Sequence, residues 1–222
     1  MGAAFIGGNQ YDGSLGYVFY TSFTASWSRY PSLFGDYFFH LSTNATDTAS
    51  FRDKIFANYQ NAPTNRFRVG ISSQASSLIA QNPRDMMTRA TYAIVSRFNA
   101  ATGESTVWVN PENEQSPGAT ASDNPGSAII GGVAVRQPGC CIGDLAIGPM
   151  KVGTAFSDVW TAPSQPHLDW MVDGSGNLVL NWTNALFVLQ WATNASGPYS
   201  DFWATAPYTN SLSGQNYFRL RY

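Results

Sequence analysis

Glu112 and Glu114 stand two residues apart in the run Pro-Glu-Asn-Glu-Gln (111–115), and with Glu104 they are all the glutamates of the chain. Glycoside hydrolysis needs two carboxyl groups, an acid and a base or nucleophile, roughly 5–10 Å apart across the sugar. Alternate positions on a strand would aim both at one face. This pair instead follows Asn110-Pro111 in a loop-like polar stretch and reads as a solvated connection, while Glu104 sits at a hairpin turn. A second set of the right types is Tyr37 and His40 in Asp-Tyr-Phe-Phe-His-Leu-Ser (36–42). In a polysaccharide lyase, either could abstract the proton beside a uronate carboxylate, with Arg66 or Arg68 neutralising that carboxylate. Nucleophilic chemistry has little to start from: Gly70-Ile-Ser-Ser-Gln fails the G-x-S-x-G pattern, and His40 and His167 are the only histidines.

Metal and ligand chemistry point elsewhere. No H-E-x-x-H, C-x-x-C or EF-hand pattern occurs. A calcium site built from one aspartate and several carbonyls leaves no such pattern, and Asp123 and Asp144 are the carboxylates placed to make one. Sugars stack their apolar faces on aromatic rings while polar groups bond the hydroxyls. Trp27, Tyr30, Tyr59 and Trp108 lie on or beside strands and are the stacking candidates, with Arg66 and Arg68 as polar partners. Cys140 and Cys141 are adjacent, where only a strained eight-membered ring would join them. They read as one buried and one partly exposed thiol.

The elements that must position these residues are strands. Apolar and polar residues alternate through 16–27, where Tyr17, Phe19, Thr21, Phe23 and Ala25 would share a face. Further strands are expected over 36–42, 54–59, 65–72, 127–136 and 141–150. The clearest hairpin joins 88–100 to 105–111 through Ala-Thr-Gly-Glu, with Gly103 suited to a positive φ. Residues 76–87 are the best candidate for a turn of helix, which Pro83 would interrupt. The proline-bearing stretch 161–170 reads as a linker, with a boundary near residue 163. Beyond it come shorter strands containing Trp170, Trp182, Trp191 and Trp203, each able to bury a large area.

Composition agrees with a turn-rich all-β protein: of 222 residues 44% are hydrophobic and 14% aromatic, only 12% are charged, and there are 20 glycines and 12 prolines. The net charge is −2 and the basic residues are scattered, which argues against nucleic acid as a partner. No apolar run approaches a membrane span. The first ten residues show no secretory leader pattern. Asn44, Asn181 and Asn194 begin N-x-S/T sequons, which matter only in a host that glycosylates secreted proteins.

Several stretches resemble concanavalin A-like (laminin G-like) jelly-roll domains of secreted bacterial proteins. They are Gly-Tyr-Val-Phe-Tyr-Thr-Ser-Phe-Thr-Ala-Ser (16–26), Gly35 to Ser42, Phe-Arg-Val-Gly-Ile-Ser-Ser (67–73), the 92–111 hairpin and Cys140 to Trp160. Within the last, Ile142-Gly-Asp-Leu-Ala-Ile-Gly148 follows the family's I-D-D-[LI]-x-[VI]-G strand, with Gly143 in place of its first aspartate. Gly153, Thr154, Phe156, Asp158 and Val159 follow its ending. The tail resembles small immunoglobulin-like sandwich modules, on Leu178 to Trp182, Leu189 to Thr193 and Tyr217 to Leu220. The resemblance implies a jelly-roll β-sandwich over 1–162 and a small β-sandwich over 163–222. It also implies an extracellular or cell-surface location, a polysaccharide or glycan partner, and no cofactor beyond calcium. The expected role is a non-catalytic module for glycan binding or adhesion. A glycoside hydrolase or polysaccharide lyase on the same fold is the alternative, and a self-assembling structural spacer the third reading.

Overall fold

The computed structural model describes residues 2–5 (backbone), 10–44, 49–202, 204–211 and 214–222. The chain divides into two compact units, Met1–Ala162 and Pro163–Tyr222. The first contains β1 (Gly2–Phe5), β2 (Tyr11–Asp12), β3 (Val18–Arg29), β4 (Asp36–Ser42), β5 (Arg52–Asn58), β6 (Arg68–Ser72) and β7 (Ala80–Gln81). These are followed by β8 (Thr91–Asn99), β9 (Glu104–Val109), β10 (Gly118–Ala121), β11 (Ile129–Ile130), β12 (Gly132–Val135) and β13 (Asp144–Gly153). A six-stranded sheet has the order β1-β12-β4-β5-β6-β7 and a five-stranded sheet the order β10-β9-β8-β3-β13, every pairing antiparallel. This is a jelly-roll β-sandwich.

The alternation in β3 explains the core. Phe19, Thr21, Phe23, Ala25 and Trp27 are all buried and face the other sheet. Phe23 packs on Phe38 and Phe39, and Trp27 meets Phe38 and Phe67, so aromatic rings from both sheets interlock. The opposite face of the five-stranded sheet is covered too. There Tyr20 and Trp108 pack against Phe156 of α1 (Phe156–Val159). Asp158 accepts the backbone N–H groups of Thr154 and Ala155, and Gly153 leaves the space into which the Asp158 side chain folds. The ending that resembled the family pattern is therefore a lid on the sheet.

Residues 76–87 form no helix. They supply β7 and a bridge from Met86 to Phe67, because the edge of β6 is open for pairing there and Pro83 withholds a helical donor. Cys140 and Cys141 are not two thiols: they are joined by a disulfide in the loop before β13.

The second unit holds two three-stranded antiparallel sheets. One is β14 (Asp169–Val172), β15 (Asn177–Asn181) and β18 (Tyr208–Ser211). The other is β17 (Ser200–Phe202), β16 (Val188–Ala192) and β19 (Tyr217–Arg221). Leu180, Trp182, Leu189 and Leu220 are buried in it. Trp170 and Trp191 are exposed rather than buried, and Trp203 lies outside the described residues.

Candidate functional site

Tyr30 is the first residue past β3 and Tyr59 the first past β5, so both leave their sheets at strand ends. Between them the chain turns tightly. Gly35 takes φ +62°, and a side chain there would strike the Ala57 carbonyl. That close return lets Tyr59 N–H donate to the Ser32 carbonyl and Gln60 N–H to the Leu33 carbonyl. Ser32 N–H in turn donates to the Cys141 carbonyl, which ties the disulfide loop to the same group. The 59–66 segment is itself two consecutive turns, closed by Ala62 N–H to the Tyr59 carbonyl and Arg66 N–H to the Pro63 carbonyl. Asn61 and Asn65 both stand at φ 59°, a conformation asparagine tolerates better than most side chains.

The result is a preformed cleft of about 420 Å³ lined by Tyr30, Tyr59, Ala62, Pro63, Thr64, Asn65 and Arg66. Tyr30 is 37% and Tyr59 44% exposed, so part of each side chain is open to solvent. Tyr30 is nonetheless fixed: its ring stands edge-on to Phe67 at 6.1 Å and its hydroxyl donates to the Asn65 carbonyl at 2.9 Å. Arg66 Nη1 donates to the same carbonyl at 3.2 Å. Three residues expected to contact a ligand, Tyr30, Tyr59 and Arg66, are thus brought together by loops that sequence spacing alone does not relate. The contribution of Pro63 and Thr64 to the wall carries no chemical signature in the sequence. A larger cleft of about 530 Å³ borders β13, lined among others by Ser26, Ser28, Arg136, Gln137 and Asp144. It has no aromatic ring for a sugar to stack on.

The other stacking candidates serve packing. Trp27 is fully buried and its Nε1–H donates to the Ile142 carbonyl, while Trp108 is 3% exposed and donates to the Ser116 carbonyl. Arg68 does not line this cleft and pairs instead with Asp85 at 2.7 Å. Tyr37 and His40 do meet, with ring centroids 5.7 Å apart. Their cationic neighbours are not Arg66 or Arg68 but Arg136 and Lys54, whose charges lie 4.2 and 5.1 Å from the Tyr37 ring centre. His40 is only 2% exposed, and burial holds the Tyr37 hydroxyl above its ordinary value despite Arg136. His40 is thus sealed from solvent, and Tyr37 holds its proton more tightly than a free phenol.

The glutamates are also accounted for. Arg97 on β8 pairs with Glu104 on β9 and with Glu114 in the loop after β9. The Tyr20 hydroxyl donates to Glu114 at 2.6 Å, and burial together with that carboxylate pushes the phenol up to about 12. Glu114 is therefore not a freely solvated loop residue: Tyr20 and Arg97 both hold its carboxylate. Glu112 is exposed at the start of a turn in which its N–H donates to Ser116 Oγ.

The aspartates do not fit calcium. Asp123 accepts three backbone N–H groups, from Ser73, Gln74 and Ala75, at 2.6, 2.9 and 2.7 Å. Burial alone would raise its carboxyl; the three donors outweigh it and hold the group below its ordinary value. A cation would have to displace those donors. Asp144 forms a two-pronged pair with Arg29 at 2.8 and 3.1 Å, which lowers its carboxyl in the same direction. Among the described residues no cluster of three His, Cys, Asp or Glu side chains is placed to hold a metal. Asp123→Ala should lower stability by about 1–2 kcal/mol, as loss of a helix N-cap does, measured by urea unfolding. A calcium-dependent rise in melting temperature that Asp123→Ala abolishes would contradict this assignment.

No protein-family model matches the chain, and no curated protein matches it. Among solved structures it is similar to a native heptameric SAP-like pentraxin from Limulus polyphemus, at 13% sequence identity and a TM-score of 0.44. The match covers 62% of this chain and 64% of that one.

Proposed function

We propose that the chain is a non-catalytic extracellular module that binds a glycan in the Tyr30–Tyr59 cleft. The observation that carries this reading is the convergence of two exposed tyrosines, Tyr30 of which is held by its hydroxyl and by Phe67, and an arginine on one preformed cleft. Rings held in place before binding lose little freedom on contact, and apolar sugar faces bury against them. Of the glutamates, Glu104 and Glu114 are paired with Arg97, which leaves the exposed Glu112 without a partner carboxylate beside it in sequence that is free to act with it.

Affinity electrophoresis against a panel of polysaccharides tests the reading. The protein should be retarded by at least one of them and release neither reducing ends nor unsaturated products. Tyr59→Ala should weaken retardation about tenfold, the effect of losing one stacking partner of roughly 1–1.5 kcal/mol. Release of product would favour the hydrolase or lyase reading. Mobility unchanged by every polysaccharide would favour a structural spacer.

A further inference from the structure

The described arginines that form ion pairs each take a carboxylate partner: Arg29 has Asp144, Arg68 has Asp85, Arg97 has Glu104 and Glu114, Arg136 has Asp36 and Arg221 has Asp201. Arg66 differs. It is half-buried in the cleft wall, its guanidinium donates to the Asn65 carbonyl, and no described carboxylate pairs with it. None of the residues lining the cleft is acidic. A guanidinium offers five N–H donors in a flat fork, and one hydrogen bond to a carbonyl leaves most of that capacity facing outward. A neutral sugar would give such a cation only hydroxyl acceptors in place of water, whereas a bidentate anion would supply charge-assisted hydrogen bonds to the fork.

Resting on the glycan-binding reading, we infer that the ligand carries an anionic group, carboxylate or sulfate, on the sugar beside the one that stacks on Tyr30 and Tyr59. Arg66 takes that group through its fork. The Tyr30 hydroxyl and the Asn65 carbonyl fix where the fork sits, since both Tyr30 and Arg66 bond that carbonyl. The chain's net charge of −2 gives no general attraction for polyanions. The selectivity is therefore local to one arginine, and its salt dependence is that of about one ion pair.

The test is affinity electrophoresis of the whole chain against polygalacturonate, a carboxylated probe, κ-carrageenan, a sulfated one, and laminarin, a neutral one. Retardation by one or both acidic probes is expected, with little by laminarin. Arg66→Gln should weaken it about tenfold, and Arg66→Lys should recover only part because it keeps charge without the fork. Which acidic probe responds identifies the anionic group. Equal retardation by laminarin, unaltered by Arg66→Gln, overturns the inference while the glycan-binding reading stands. No retardation by any probe overturns both. Far-UV circular dichroism of the variants excludes misfolding as the cause of a loss.

Discussion

Asp53→Asn should stabilise the protein at pH 7 by up to about 3 kcal/mol and leave it unchanged near pH 3. Asp53 lies on β5 with its carboxylate in the interior, fully buried. The Thr21 hydroxyl donates to Ser96 Oγ, and Ser96 Oγ donates onward to Asp53 Oδ2, each at 2.6 Å. The second oxygen, Oδ1, is sealed from solvent without a partner at hydrogen-bond geometry, and so is the Ser105 hydroxyl. Ser105 still lies near enough to favour the charged form slightly. Burial wins, and raises the carboxyl from 3.8 to about 6. A carboxyl raised in the folded state contributes stability that is complete below 3.8 and is lost as pH rises through about 6. The gap corresponds to about 3 kcal/mol at neutral pH. Asparagine removes the charge, tolerates the positive φ of 51° at this position, and can turn its amide toward the Ser105 hydroxyl. Urea unfolding at pH 3.5, 5 and 7 measures this. Parallel pH profiles for the two proteins would show that Asp53 is not the group responsible.

Trp27→Ala should cost about 3–5 kcal/mol, the range for removing a buried indole. It is the larger of the two effects and acts on the cleft as well as the core. Trp27 packs on Phe38 and Phe67, and Phe67 in turn supports the edge of the Tyr30 ring. Its Nε1–H holds the Ile142 carbonyl in the loop next to the disulfide. The alanine variant should lose both stability and glycan retardation. Trp27→Phe fills most of the space and removes only the N–H donor, leaving the Ile142 carbonyl to find another partner. Its cost should be about 1–2 kcal/mol, with retardation retained. A phenylalanine variant as damaged as the alanine one would mean that the hydrogen bond, not the ring, carries the structure.

These residues also show where sequence reasoning reaches and where it stops. Period-two alternation from Phe19 to Ala25 is a property of consecutive residues, so the inward face of β3 could be read directly, and the structure buries it. The hairpin of β8 and β9 was equally local, with Gly103 at φ 74° where the turn requires it. The same strand defeats the argument a few residues on. Trp27 and Tyr30 looked alike as aromatic residues at a strand end, yet one is fully buried and the other open. β3 runs to Arg29 and carries Trp27 beneath the other sheet before the chain leaves it.

What a carboxylate or cation does depends on groups far away in sequence. Asp123 meets a turn 48–50 residues earlier, and Asp144 meets Arg29 115 residues earlier. The Arg136 guanidinium bonds the carbonyl of Tyr37, 99 residues before it. Residue type and short spacing determined that this chain folds as antiparallel strands around an aromatic core, because hydrophobic periodicity is written locally. Which polar groups are consumed in holding that fold, and which remain for a ligand, was decided only by tertiary structure. Hydrogen bonds and ion pairs form between whichever groups the sheets bring within about 3 Å. Arg66 and the two tyrosines meet at one cleft because the segments after β3 and β5 bring them there.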